Sequence, residues 1–369
     1  MLSAENYENR WYCVGRLLPE GHEIEFWVAN GTISYRPLPN CKPLLGKWIC
    51  PGLMDGHVHI SWTHDASPQQ VRRELVRERR QTFSRQGTIF VRDMGAVDTL
   101  LMEKPLHGDG LTHVLPCGTM VIPYDGFSLP KTEADSLLQA FVSLAKAGVP
   151  WIKVFADWTN DFGGPLDTGF SGKDLVSYPV DILSSAVSKA KEYGSRVAAH
   201  AFTPEGLACA VAANVDSIEH GWGVDEEILK EMGKKNIAWL PLLSIAPAMR
   251  QSAEKKGELE NVAWIDSSLV KIAPLLQHAL DVGVPLITGT DWGPGLTTAQ
   301  EIIALHNFGL SAKQALCCAT TTAHDFFAVG KLGDGCPASF LIFEDNPLDD
   351  LHLLHHPKSI VIDGHLIAQ

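Results

Sequence analysis

No apolar run in the 369 residues approaches the roughly 20 that a membrane-crossing helix needs. The opening stretch, MLSAENYENRWYC, lacks the basic start and apolar core of a secretory leader. The expectation from both is a cytoplasmic chain with no membrane partner. Nucleotide-binding glycine motifs are missing too: neither a phosphate-cradling loop ending in Lys-Ser/Thr nor a dinucleotide fingerprint occurs. Basic charge is in deficit, with 30 Lys and Arg against 43 Asp and Glu and a net charge of -13. A nucleic-acid partner is therefore not expected, because such binding needs a cationic surface to displace counterions. The eight cysteines are scattered and contain no repeated two-residue-spaced pair, which argues against both a disulfide framework and a thiolate zinc site. A local basic run at Arg72, Arg73, Arg77, Arg79 and Arg80 is interleaved with Glu74 and Glu78 and reads as the solvated face of a helix.

What is present falls into two rhythms. Residues 1–50 alternate short apolar pieces with turns, and the Asn30-Gly31 pair marks a tight hairpin. Residues 332–369 have the same character in ASFLIFEDNPL and KSIVIDGHLIAQ, so head and tail are expected to pair into one small β-sandwich. Between them, residues 51–331 carry strand-like runs at ICPGLMDGHVHI, GTIFVRDMG, THVLPCGTM, WIKVFADW, SRVAAHAF, DSIEHGW, IAWLPLLS and VPLITGTDWG. Most are separated by segments with helical periodicity, and Gly87, Gly148, Gly194 and Gly283 stand where those helices should stop. The count predicts an α/β fold, a (β/α)8 TIM-type barrel, with a doubly wound open sheet as the other arrangement of such units.

Barrel enzymes gather their chemistry at the C-terminal ends of the strands. The ionisable residues predicted there are His57 and His59 on the first strand, Lys153 on the fourth, His200 on the fifth, His220 on the sixth and Asp291 on the eighth. Residues i and i+2 of a strand share a face, so His57 and His59 can aim at one centre. Any one of these histidines read alone fits a packed structural role, and Asp291 in GTDWG fits a turn. Their joint placement instead points to a site for Zn²⁺ or a similar divalent ion. Lys153 stays unexplained on this reading, because an ammonium is no metal ligand.

PGLMDGHVH, GTIFVRDMG, WIKVFAD, VAAHAFTPEG, DSIEHG and LITGTDWG, in that order, together with the closing GKLGDGCPASFLIFEDNPLDDL, resemble the amidohydrolase superfamily in its imidazolonepropionase-like or prolidase-like branch. The resemblance spans nearly the whole chain. It implies a binuclear centre of two divalent metal ions, Zn²⁺ foremost, with His57, His59 and Asp291 on one ion and His200 and His220 on the other. Lys153 would carry a CO2-derived carbamate bridging both; unmodified, it implies a mononuclear site. A water activated by the metals would attack the substrate, with Asp291 as the catalytic acid and base. The chain departs from the family pattern in FADWTNDFGG after Lys153, in Trp292 after Asp291 and in the ASFLIF strand, none of which removes an implied ligand.

Trp62, Trp158, Trp222 and Trp292 each follow a ligand-bearing strand closely, and with His64 they are candidates to line the mouth and contact a small-molecule substrate. Arg92 reads instead as a structural ion-pair partner. The implied reaction is hydrolysis of an amide C–N bond in a dipeptide, N-acyl amino acid or cyclic amide. Lactone, ester or organophosphate hydrolysis would use the same activated water, a heterocycle deaminase would use a mononuclear site, and a non-catalytic binding homologue is the reading outside enzymes. Exposed loop aromatics permit a homo-oligomer.

Overall fold

Asn30 and Gly31 both take positive φ, 53° and 77°, the left-handed pair that lets a two-residue turn follow the twist of its strands. They join His22–Ala29 to Thr32–Ser34 as an antiparallel hairpin. The computed structural model describes residues 9–62, 69–95, 107–123, 132–157, 176–291 and 295–367. Within them the two ends of the chain share one eight-stranded sheet. It runs from the C-terminal hairpin, Ser359–Ile362 and His365–Leu366, through Phe340–Phe343, Trp48–Pro51 and Trp11–Leu17 to the first hairpin, with Lys42–Leu44 beside Trp11–Leu17. Head and tail meet where Phe340–Phe343 pairs antiparallel with Trp48–Pro51. Alternate side chains of these strands, including Cys13, Phe26, Val28, Ile49, Phe340 and Val361, form a core of their own.

The remaining strands are parallel. Leu53–Val58, Thr88–Asp93 and His113–Pro116 form the first three positions of the barrel, and Trp151–Phe155, Arg196–Ala201, Ser217–His220 and Ala238–Leu240 the fourth to seventh. The two sets join through Val121, whose N–H donates to Lys153 O at 2.9 Å and whose carbonyl accepts from Phe155 N at 3.2 Å. Residues 285–290 close the ring. Leu286 bridges Trp239 on one side, and on the other Gly56 N donates to Thr288 O at 2.8 Å and Thr290 N to His57 O at 3.2 Å. The architecture is thus a (β/α)8 barrel with a small β-sandwich built from the N- and C-terminal segments. The eighth position differs from the regular strand expected. Thr290 also turns to the buried carboxylate of Asp55, its N–H at 3.2 Å and its hydroxyl at 2.8 Å, so this segment bends into the mouth instead of continuing a ladder.

Helices on the outside return the chain between strands, and glycine ends several of them. Gly148 (φ 79°) follows the helix Ala134–Lys146, with its N–H on Ala145 O at 2.9 Å and Val149 N on Leu144 O at 3.2 Å, a left-handed helix stop. Gly87, Gly194 and Gly283 also take positive φ. The basic run lies on the helix Gln69–Arg85, but not all of it is solvated. Arg80 is buried and forms a two-pronged bond to Asp109 at 2.9 and 2.6 Å. Arg79 donates to Ile60 O and Trp62 O at 2.7 and 2.6 Å, tying down the segment that follows His59. Two of the five arginines are anchors, because the helix packs its Arg79 and Arg80 side onto the barrel.

Candidate metal centre

The barrel register brings the six singled-out residues to one end. His57 lies in the first strand and His59 just beyond it, Lys153 and His200 lie in the fourth and fifth strands, His220 ends the sixth and Asp291 follows the closing segment. The two histidines of HVH are oriented alike. His57 Nδ1 meets Glu219 Oε2 at 2.7 Å, and His59 Nδ1 meets Gly95 O at 3.2 Å. Each therefore turns Nε2 to the same atom, Asp291 Oδ1, at 3.4 Å from His57 and 3.3 Å from His59. His220 completes this group: one donor atom each of His57, His220 and Asp291 lies within 4.8 Å of the others.

His200 stands beside it, its ring 4.7 Å from that of His220. Aromatic walls hold both rings, Phe155 stacking on His200 and Phe202 on His220, each at 4.4 Å. His220 and Asp291 adopt positive φ, 68° and 52°, a conformation that costs a non-glycine residue energy and that persists where surrounding structure enforces it.

Burial sets the electrostatics. It lowers the Lys153 ammonium to about 8, and Nζ has no hydrogen-bond partner among the described residues. It also lowers the His220 imidazole, whose buried Nδ1 has no partner among the described residues, to about 3, and holds His200 well below the ordinary histidine range, with His220 and Lys153 adding to the effect. Burial alone would raise the Asp291 carboxyl, but His57 and His59 outweigh it and keep the group well below the usual carboxylate range. The neutral imidazoles of His200 and His220, an ionised carboxylate and two buried nitrogens without hydrogen-bond partners among the described residues are a donor set that fits a divalent cation.

Several residues around the centre lie outside the implied ligand set. Glu219 is fully buried and accepts from His57, from Arg92 Nη2 at 2.8 Å and from Ser217 Oγ at 2.6 Å. Arg92, also fully buried, donates further to Gly56 O at 2.6 Å and Ser217 Oγ at 3.0 Å and lies over the Trp151 ring, in keeping with the structural ion-pair role expected of it. Asp55 takes the His57 N–H at 3.1 Å along with its two bonds from Thr290, and burial raises its carboxyl to about 7. Asp157 accepts the N–H groups of Phe202 and Thr203 at 2.8 and 2.6 Å, fixing the turn after His200. The proximity of Glu219 to His220 in DSIEHG is the one available clue. The strand alternation would send the two to opposite faces, and only the positive φ of His220 lets both serve the interior.

Of the expected substrate contacts, His64, Trp158 and Trp292 lie outside the described residues. Trp222 does not line the mouth. It is 1% exposed, its indole N–H donates to Pro241 O at 2.7 Å, and its ring stacks on Trp264 behind Phe202. The bonded N–H and the aromatic cluster make it a core residue, which corrects the expectation. Trp62 stands edge-on to His59, ring centres 6.5 Å apart.

Comparison with known proteins accords with this geometry. A protein of Mycobacterium tuberculosis, known only as uncharacterised, is 26% identical over 96% of this chain and 95% of its own. Ochratoxinase of Aspergillus niger is 26% identical over 74% of this chain and 59% of its own length. A crystal structure of a Xaa-Pro dipeptidase with bound methionine in the active site superposes with a TM-score of 0.77 at 20% identity, covering 98% of this chain and all of the other. The model of the amidohydrolase family matches residues 48–367, nearly the whole of the barrel and its returning strands, and the chain belongs to that family.

Proposed function

We propose that the chain hydrolyses the C–N bond of a small amide, a dipeptide, an N-acyl amino acid or a cyclic amide, at a centre of two divalent ions, zinc foremost. Family membership itself makes it an enzyme of the amidohydrolase superfamily, a hydrolase of amide bonds that works with metal ions. The observation that carries the finer reading is the convergence of His57, His220 and Asp291 within 4.8 Å, together with a buried Lys153 Nζ that has no partner among the described residues. On this reading His57, His59 and Asp291 hold one ion and His200 and His220 the other. Lys153 would join the set as a carbamate: its neutral amine attacks CO2, the N–C bond forms as one C=O π bond opens onto oxygen, one N–H proton leaves to solvent, and the amine becomes an anionic oxygen donor. The dipeptidase among the structural relatives favours a dipeptide.

When bound, such ions polarise a carbonyl oxygen and bring the acidity of water into the neutral range. The chain's own residues do the rest. Asp291 is kept ionised by His57 and His59, so its carboxylate is free to take a proton from the attacking water and pass it to the departing nitrogen. Phe155 stacked on His200 and Phe202 on His220 hold the two imidazoles in place. The eight cysteines, all free thiols, support a reducing compartment, and we place the enzyme in the cytoplasm. No helix among the described residues is long and apolar enough to cross a membrane.

The test is a screen of dipeptides, N-acyl amino acids, cyclic amides and lactones against protein reconstituted with Zn²⁺ and bicarbonate. Turnover of an amide, with Asp291→Asn lowering kcat by about 10²–10⁴ and leaving KM within a fewfold, is the expected result. Turnover confined to lactones would replace the amide by an ester bond, and turnover unaffected by Asp291→Asn would remove the proton-transfer role.

A further inference from the structure

Glu219 stands where three barrel strands meet, at no point in contact with solvent. Its two oxygens divide their work. Oε1 takes Arg92 Nη2 at 2.8 Å and Ser217 Oγ at 2.6 Å, and Oε2 takes His57 Nδ1 at 2.7 Å. Arg92 in turn donates to Gly56 O in the first strand and lies over the Trp151 and Phe327 rings, 4.4 and 5.3 Å from their centres. A guanidinium cannot give up its proton in a protein, so Glu219, its ion-pair partner, is held as a carboxylate. A carboxylate only accepts, which obliges His57 Nδ1 to carry the hydrogen and makes Nε2, the nitrogen that faces Asp291, the one that would take up the proposed ion.

We propose that Glu219, locked by Arg92, is a positioning residue that fixes the tautomer and aim of His57. This rests on the metal-hydrolase reading for its consequence but on the hydrogen bonds alone for its mechanism. His59, by contrast, is oriented by a neutral carbonyl, Gly95 O. The two histidines of the HVH pair therefore differ in what aims them: His57 is held by a charged carboxylate and His59 by a neutral carbonyl. The ion pair also couples the first, second and sixth strands, so the element that shapes the site is the element that holds the barrel interior together.

The experiment compares Glu219→Gln, the double variant Arg92→Met with Glu219→Gln, and Arg92→Lys, each measured three ways: thermal melting without metal, Zn²⁺ affinity by competition with a chromogenic chelator, and the His57 tautomer from NMR of isotope-labelled histidine. Glu219→Gln strands a buried guanidinium and is expected to melt earlier, and removing both charges is expected to recover much of that loss. Zn²⁺ affinity is expected to stay about 10–100-fold below that of the unaltered protein in both variants lacking the carboxylate. Arg92→Lys keeps the carboxylate ionised and is expected to bind Zn²⁺ within about threefold of the unaltered protein, whatever its melting temperature. Affinity that simply follows melting temperature across the three variants would overturn the proposal and leave Glu219 a structural partner. If the unaltered protein binds no Zn²⁺, the hydrolase reading fails; the tautomer measurement still decides when it is made on Arg92→Met with Glu219→Leu, which offers Nδ1 no acceptor, because a His57 that keeps its Nδ1 proton there contradicts the positioning role and loss of that preference upholds it.

Discussion

His57 and Asp291 meet twice across the seam that closes the barrel: the Asp291 N–H donates to His57 O at 2.8 Å, and its Oδ1 stands 3.4 Å from His57 Nε2. The backbone bond fixes the spacing of first and closing segments, and the side-chain approach uses that spacing. Position and chemistry at the centre are therefore set by the same closure.

Gly289 sits inside this closure. A Cβ there would lie 2.8 Å from His57 Cβ and 3.4 Å from Leu242 Cγ, closer to His57 than real side chains approach, and neither neighbour is the far end of a flexible chain. Gly289→Ala is expected to displace His57, lowering Zn²⁺ affinity at least about 10-fold with a loss of stability in the usual 1–3 kcal/mol of an overpacked site. Metal titration alongside chemical denaturation measures both, and unchanged affinity would show that the seam adjusts without moving the imidazole.

Trp222, a core residue and no part of the mouth, gives a test of a different kind. Trp222→Ala is expected to cost about 3–5 kcal/mol of stability, as large aromatic truncations in cores do, because it removes the stack on Trp264 and the bond to Pro241 O together. Substrate preference among turned-over amides should not change. A stable variant with an altered preference would return this tryptophan to the pocket.

Glu301 makes stability depend on pH. It is fully buried and accepts the N–H groups of Leu243 and Ser244 at 2.9 and 2.7 Å, and burial raises its carboxyl from the ordinary 4.5 to about 7. The folded state thus binds this proton more tightly than the unfolded one. The contribution is fully present below about pH 4.3 and is lost as pH rises through 7. Glu301→Gln keeps the acceptor oxygen and never ionises, so it should stabilise the protein relative to the original more at pH 8 than at pH 5, by up to about 3 kcal/mol. Equal effects at the two pH values, read by denaturant unfolding, would contradict this assignment.

Much of this site was legible in the sequence and some of it was not, for reasons that lie in particular residues. The HVH pair, His200, His220 and Asp291 stand out because strand ends are marked by flanking turns and because i and i+2 share a face. The head and tail strands show through their alternation, and the hairpin through Asn30-Gly31. Arg92 shows as an ion-pair partner, but its partner Glu219 does not, because a buried carboxylate has no periodic signature and because the strained backbone at His220 breaks the alternation on which facing is judged. Trp222 misled for a related reason: nearness in sequence to a ligand strand does not say whether the side chain turns to the mouth or behind it. Arg79 and Arg80 looked solvated from their charged neighbours, yet carbonyls of the loop after His59 and the carboxylate of Asp109 give them partners that only the fold supplies.

Lys153 supplies the test of metal number. Lys153→Ala removes the amine that would become the bridging carbamate, and the expected outcome is a fall from about two bound ions to about one, with activity down by at least about 10². Elemental analysis of the purified variant, with intact-protein mass measurement of the unaltered chain in bicarbonate, reads both. Two ions retained in the variant would remove the carbamate from the account and leave the histidines and Asp291 to hold the metals alone.

The most direct measurement is amide hydrolysis before and after complete removal of metal by a chelator, followed by stepwise return of Zn²⁺, in the unaltered chain and in His57→Asn and Asp291→Ala. The account predicts that activity vanishes with the metal, returns as Zn²⁺ is restored, and does not return in either variant. Full hydrolysis by the metal-free protein, or recovery in the variants equal to that of the unaltered chain, would contradict it.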